Sequence, residues 1–264
     1  MIRVLVCGAY GKMGREVLKA VHKDEHLSIV GAVDLKSDFN DVGDIIGAGK
    51  TGVIVGNDLS MVINETKPQV MVDFTNPEAV MNNIRIAINN GVCPVVGTTG
   101  LSEEDLQEVR DLCEYTKVNA IISPNFSIGA ILMMRLAQEA VKYLPQVEII
   151  ELHHDQKLDA PSGTALRTAE LIAQVRGTLR QGHPDEFEKL AGARGSELAG
   201  IRVHSVRLPG YVAHQEVIFG GLGQTLTIRH DSISRESFMP GVTLACKRIL
   251  TIDGLVYGLE NILD

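Results

Sequence analysis

MIRVLVCGAYGKMGREVLKAV, residues 1–21, decides the architecture. Ile2 to Cys7 is a short apolar run of strand-forming residues, glycines follow at once, and Val17, Leu18 and Val21 then recur at helical spacing. Strand, tight turn and helix follow one another. Gly8, Gly11 and Gly14 keep a GxxGxxG spacing in place of the more familiar GxGxxG. Glycine is needed where backbone turns sharply and approaches a pyrophosphate, and the helix start then offers free N–H groups and a positive dipole end. A glycine turn that merely joins strand to helix is the competing reading. Asp34 weighs against it, because it ends a second apolar run, Leu27 to Val33, where a carboxylate can accept a hydrogen bond from a ribose hydroxyl. Asp34 suits the free 2′-hydroxyl of NAD, whereas Lys12 and Lys36 suit the 2′-phosphate of NADP, so NADH and NADPH both stay open.

Outward from this unit the alternation continues. Val70 to Phe74 leads into a helix start at Asn76-Pro77, and Val92 to Val96 and Ala120 to Ile122 read as further strands. Helical segments near 78–90 and 102–115 lie between them, the second opened by Ser102 as N-cap with acidic residues in its first turn. This pattern predicts an α/β, Rossmann-like, doubly wound parallel sheet. Gly97 to Gly100 and Ser123 to Phe126 fall at C-terminal strand ends, where ligands of such sheets bind.

Beyond residue 127 the character changes. A helix over 129–143 precedes a strand from Val147 to His153, and the runs 201–207, 212–219 and 224–230 read as antiparallel strands joined by turns at Pro209-Gly210 and Gly220 to Gly223. This half is predicted to be α+β with a mostly antiparallel sheet. Residues 177–200 read as a long surface loop with one helical turn at most. Gly241 to Leu263 returns to helical spacing and is expected to pack back onto the first domain.

Composition narrows the function classes. With 33 acidic against 25 basic residues and a formal charge of −8, the chain lacks the basic surplus that phosphate backbones require, and nucleic acid is excluded as the main partner. No apolar run reaches membrane-span length, and the N-terminal run is too short for a signal-peptide core. The four cysteines form no CxxC pair and mostly sit in apolar runs, as reduced core thiols do. A cytoplasmic protein is expected.

EIIELHHDQKLDAPSGTA, residues 148–165, concentrates the chemistry: His153, His154, Lys157, Asp159, Ser162 and Thr164. Ser162-Gly163-Thr164 opens a helix through Leu166, Ala169 and Ile172, and its free N–H groups with two hydroxyls make a carboxylate or phosphate cradle. An isolated His pair would read as alternating strand residues, one in the core and one solvated; Lys157 and the cradle nearby favour the functional reading. No metal is expected, since adjacent strand residues point to opposite faces. Arg202 and Arg207 suit either substrate charge or intersubunit pairing.

Six segments together resemble the 4-hydroxy-tetrahydrodipicolinate (dihydrodipicolinate) reductase family: GAYGKMG at 8–14, VDFTNPEA at 72–79, GTTG at 97–100, PNFSIG at 124–129, ELHHDQKLDAPSGTA at 151–165 and SVRLPGYVAHQEVIFG at 205–220. The resemblance implies a dinucleotide-binding domain of 1–126 with 240–264, a substrate-binding and oligomerisation domain of 127–239, and a homotetramer. It implies NADH- or NADPH-dependent reduction of a small cyclic dicarboxylate in the diaminopimelate route to lysine. His153 matches the family's proton donor/acceptor and Lys157 its second proton donor, while His154 matches a substrate contact and Gly163 and Thr164 the carboxylate cradle, to which Ser162 belongs. Gly8, Ala9, Tyr10, Gly11, Lys12 and Met13 match cofactor contacts, with Asp34. So do Gly97, Thr98 and Thr99, and Ser123, Pro124, Asn125 and Phe126. The chain departs from the family at Lys12, where Arg is common, and at Leu35, where a basic residue is common, which weakens a strict NADP preference. A cofactor sensor without turnover and a dehydrogenase of another substrate would share the same first domain.

Overall fold

The computed structural model describes residues 1–177 and 179–263. Residue 178 of the 177–200 loop and residue 264 lie outside the described residues. The chain forms two compact units, one of Met1–Ile128 with the segment from Phe238 onward, the other of Gly129–Ser237.

The first unit alternates strand and helix: β1 (Ile2–Cys7), α1 (Lys12–Lys23), β2 (Leu27–Val33), α2 (Val42–Ile46), β3 (Val55–Gly56), α3 (Leu59–Thr66), β4 (Val70–Asp73), α4 (Pro77–Asn89), β5 (Cys93–Val96), α5 (Glu103–Thr116) and β6 (Ala120–Ile122). The strands lie side by side in the order β3-β2-β1-β4-β5-β6, every pair parallel. Val4, Leu5 and Val6 are wholly buried, as consecutive residues of a strand covered on both faces must be. Local chemistry fixes the helix starts. Asn76 accepts from Ala79 N at 2.9 Å ahead of Pro77, and Ser102 and Asp105 form a reciprocal capping box. Strand order reverses between β1 and β4, which opens a crevice at the carboxyl ends of these strands. The segment 35–69, with its two-residue β3, carries too short a pattern for periodicity to reveal.

The second unit contains α6 (Ile128–Ala140), β7 (Gln146–His153), α7 (Gly163–Arg176), β8 (Ser196–Leu198), β9 (Ile201–Arg207), β10 (Ala213–Gly221) and β11 (Gln224–Ser232). Its sheet runs β11-β10-β7-β9-β8, with only the β7–β9 pair parallel. Alternation along β7 buries Val147, Ile149 and Glu151 on the face that α7 covers. Two expectations are corrected here. β9 and β10 are not neighbours, because β7 lies between them. The 208–212 link must span two strand spacings, about 10 Å, which a Pro-Gly turn cannot do alone. It passes the end of β7, where Leu208 N donates to His153 O at 3.1 Å. The 177–200 loop also yields a strand, β8, turned back onto β9 at Gly200, whose φ is +74°.

The closing segment re-enters the first unit. α8 (Met239–Arg248) is helical as expected, but Gly254 and Gly258, both at positive φ, bracket β12 (Leu255–Tyr257), which pairs parallel with β6 as a seventh strand. Helical spacing therefore covers only the first part of 241–263. Among the described residues no helix is long and apolar enough to cross a membrane.

Candidate active site

In the first unit, the crevice beside β1 is a cleft of about 580 Å³ lined by Gly8, Gly11, Asp34, Lys36, Thr75 and Asn76 among others, well within the range of small-molecule sites. Gly8 holds φ +80°, and a Cβ there would lie 2.8 Å from the Phe74 carbonyl; a Cβ on Gly14 would run into the Gly8 carbonyl. The loop is therefore as close to the sheet as backbone allows. α1 begins at Lys12 behind Gly11, with no side-chain cap and no acidic residue in its first turn, so its leading N–H groups are left for an anion. Asp34 Oδ2 accepts from Tyr10 N at 2.9 Å and its Oδ1 from Lys36 N at 3.0 Å. Each oxygen keeps a lone pair for a ribose hydroxyl. Tyr10 directs its hydroxyl towards Asp38 N and Asn40 Nδ2, bracing the loop after β2. An uncapped helix start, a backbone packed to contact and a carboxylate at the end of β2 fit a dinucleotide.

The other expected cofactor residues lie at the neighbouring strand ends and not along this cleft. Thr98 is fixed by Asp73, the last residue of β4, which is 0% exposed. Asp73 Oδ1 accepts from Thr98 Oγ1 at 2.8 Å and from Thr75 N and Oγ1 at 3.0 and 2.8 Å, while Oδ2 accepts from Asn83 Nδ2 at 2.8 Å. One buried carboxylate thus ties the loops after β4 and β5. Gly97 is required beside it, since a Cβ would strike the Phe74 ring. After β6, Ser123 Oγ donates to Asn125 O and accepts from Leu259 N, while Phe126 is buried with its ring 5.8 Å from that of Phe74. Ser123 and Phe126 therefore shape the loop from beneath.

In the second unit, Glu151 is the centre of the polar cluster and is itself 0% exposed. Its Oε2 lies 2.5 Å from His153 Nδ1 and accepts from Arg207 Nη1 at 2.9 Å; Oε1 accepts from Arg207 Nη2 at 2.7 Å and from Ser162 N at 3.2 Å. Burial alone would raise this carboxyl, but hydrogen bonds from His153, Arg207 and Ser205 outweigh it and hold it at about 2. Arg207 Nη2 also donates to Asp159 O at 2.7 Å, and Asp159 Oδ1 accepts from Lys157 Nζ at 2.7 Å. His153 and Lys157 are thus joined through Glu151, Arg207 and Asp159. Lys157 holds the Asp159 carboxyl below its ordinary range. His154 lies past the end of β7 and is exposed.

Ser162 caps α7, its Oγ accepting from Ala165 N at 3.2 Å. Among the described residues the N–H groups of Gly163 and Thr164 have no acceptor, and a Cβ on Gly163 would meet open space. The start of α7 is thus an anion cradle with two free donors. Sequence reasoning missed Glu151 and Asp73 and left Arg207 undecided. Glu151 was within reach: it stands two residues before His153 on one strand and must share its face. Arg207 was not, because its pairing with His153 across β7 and β9 depends on the strand order.

The chain matches two family descriptions, "Dihydrodipicolinate reductase, N-terminus" over residues 2–126 and "Dihydrodipicolinate reductase, C-terminus" over 129–263. A 4-hydroxy-tetrahydrodipicolinate reductase of Desulfitobacterium hafniense is 57% identical over 264 residues, 100% of this chain and 99% of its own length. One from Halalkalibacterium halodurans is 55% identical with both chains fully covered. Among solved structures, the dipicolinate-bound dihydrodipicolinate reductase of Paenisporosarcina sp. TG-14 superposes with a TM-score of 0.90 at 48% identity, covering 100% of both chains. The amine dehydrogenase of Mycobacterium smegmatis, at 17% identity and a TM-score of 0.71, shares the fold.

Proposed function

The chain belongs to the 4-hydroxy-tetrahydrodipicolinate reductase family, and from that premise we propose that His153 and Lys157 supply the proton of the reduction while Lys157 and the start of α7 hold substrate carboxylate. It is an NADH- or NADPH-dependent enzyme of the diaminopimelate route to lysine, and its product lacks the 4-hydroxyl of its substrate. The bound nicotinamide supplies a hydride. The chain's residues have two tasks: to keep a dicarboxylate in place, and to bring a proton to the atom that becomes electron-rich.

The observation that carries this reading is the shared polar cluster of β7, β9 and the start of α7. A histidine backed by a buried carboxylate is tied through Arg207 and Asp159 to a lysine, and the same carboxylate holds the start of a helix with two unpartnered backbone donors. The donors of Gly163 and Thr164 suit one carboxylate, and the Lys157 ammonium, released from Asp159, suits charge on the same ligand. The Paenisporosarcina relative was solved with dipicolinate, a planar cyclic dicarboxylate, which is the chemistry such a cradle takes. We further propose the 1–126 with 240–264 portion as the cofactor domain and 127–239 as the substrate domain, in a cytoplasmic homotetramer. Light scattering on the purified protein tests the assembly.

A coupled assay tests the assignment of roles: the substrate is generated from pyruvate and aspartate semialdehyde by the preceding synthase, and oxidation of NADH or NADPH is followed at 340 nm. Oxidation by the wild-type chain that falls steeply in Lys157→Ala supports the assignment. Unchanged rates in that variant would refute it.

A further inference from the structure

Glu151 is the one carboxylate of the second unit's cluster that solvent does not reach, and the proton transfer proposed above makes no direct use of it. Stability does not account for such a group, because a buried ion pair is on average no better than apolar residues of the same volume. Its donors come from three elements, Ser205 of β9 among them. His153 is two residues further along β7 on the same face; Arg207 stands opposite His153 in the β7–β9 register; Ser162 opens α7. An ionised carboxylate only accepts, so the imidazole nitrogen facing it, Nδ1, carries the hydrogen. Among the described residues the other ring nitrogen, Nε2, has no hydrogen-bond partner.

We propose that Glu151 is the positioning residue of this enzyme: it keeps the hydrogen of His153 on Nδ1, so that Nε2 is the atom that takes up a proton from solvent and passes it to the substrate, and through Ser162 N–H it sets the carboxylate cradle at a constant distance from that atom. The inference rests on His153 being the proton donor. Arg207 completes the device. Its guanidinium fork binds both oxygens of Glu151, so the carboxylate plane cannot rotate, and its further bond to the Asp159 carbonyl ties the Lys157 loop to the same frame. When the proton leaves Nε2 the ring becomes neutral without changing its bond to Glu151, and no group in the frame has to move.

The test compares Glu151→Gln, Glu151→Asp and His153→Gln in the coupled assay, with 15N spectra of the histidine rings. Gln keeps the volume and an acceptor for Ser162 N–H but loses the charge and can present an N–H to Nδ1. The expected result for Glu151→Gln is a kcat lower by about 10²-fold with KM for substrate and cofactor within about threefold, the size of loss that misplacement of a reacting group produces. Partial recovery is expected in Glu151→Asp. The His153 signal should be Nδ1–H in the wild type and a mixture of tautomers in Glu151→Gln. If Glu151→Gln does not fold, the double variant Glu151→Gln with Arg207→Met removes both charges and carries the same expectation for kcat and for the mixture of tautomers. Wild-type kcat in Glu151→Gln, or a loss that follows only the folded fraction while the tautomer stays Nδ1–H, overturns the proposal. A fully active His153→Gln would instead overturn the proton-donor assignment, whereas a slow His153→Gln beside a normal Glu151→Gln overturns this inference alone.

Discussion

Replacing Arg207 by Met should destabilise the protein most near neutral pH and progressively less in acid. The Glu151 carboxyl is held at about 2 in the folded protein against an ordinary value of 4.5. At about 1.36 kcal/mol per pH unit, that separation is worth roughly 3 kcal/mol. Because the folded value is the lower one, the contribution is complete above pH 4.5 and is lost as pH falls towards 2; by pH 3 about 2 kcal/mol of it has gone. The Glu151 side chain is out of solvent while Arg207 is partly exposed, so solvent screening makes the figure an upper one. Without Arg207 the hydrogen bonds from His153 and Ser205 remain against the burial, so the carboxyl rises from about 2 towards its ordinary range and the variant loses less stability in acid. Breaking a buried pair costs about 3–5 kcal/mol at pH 7, and the gap between the two proteins should narrow at pH 3, by about 2 kcal/mol at most. Urea unfolding followed by far-ultraviolet circular dichroism at both pH values measures it. The two units can unfold separately, so the comparison uses the transition that the substitution moves. A gap below about 1 kcal/mol at pH 7, or one of equal size at both pH values, would refute the reasoning.

Lys157→Ala should both lower kcat and raise KM for the substrate, leaving NADH affinity alone, because one ammonium serves carboxylate binding and proton supply; a change confined to thermal stability would make the residue structural. Asp34→Ala should weaken NADH by about tenfold or more, the worth of a hydrogen bond to a charged group, and weaken NADPH less because a carboxylate repels the 2′-phosphate. Equal losses with both cofactors would leave Asp34 as a brace for Tyr10 and Lys36 only. Gly8→Ala places a Cβ 2.8 Å from the Phe74 carbonyl at φ +80°, a conformation that costs an L-residue about 1–2 kcal/mol. Differential scanning calorimetry should show Tm falling by several degrees with weaker cofactor binding, and an unchanged Tm would mean the loop relaxes.

Short-range signals carried most of the fold into the sequence. The βαβ start from Ile2 to Val21, the Asn76-Pro77 and Ser102 helix starts and the β10–β11 hairpin depend on neighbours within a few residues, and all lie where their residue chemistry places them. The misreading of β9 and β10 has the opposite cause. Pro209-Gly210 is a genuine turn sequence, but which strand sits beside which is set by long-range pairing, and β7 takes the place between them. β12 was hidden because three residues hold no period. In the second unit's cluster, His153, Lys157 and the Ser162–Thr164 turn stand within a dozen residues and could be read together, whereas the Arg207 fork comes from a strand more than fifty residues away. Asp73 stands inside VDFTNPEA but was not singled out there, because its purpose appears only when the loops after β4 and β5 meet on its carboxylate.

The late return of the chain to its first sheet has a bearing on how the protein is made. Until residues 255–257 emerge from the ribosome, β6 is an open edge whose unpaired N–H and C=O groups can template pairing with another nascent chain. The intervening unit, by contrast, has all five of its strands once residue 232 is out, while the first unit still waits for its last strand. Synthesis therefore finishes the inner unit first and the outer one last. A chain that stops short of Leu255 would carry the complete His153 and Glu151 cluster on its finished second sheet while its first sheet keeps an open edge at β6, making aggregation rather than loss of chemistry the first consequence of truncation.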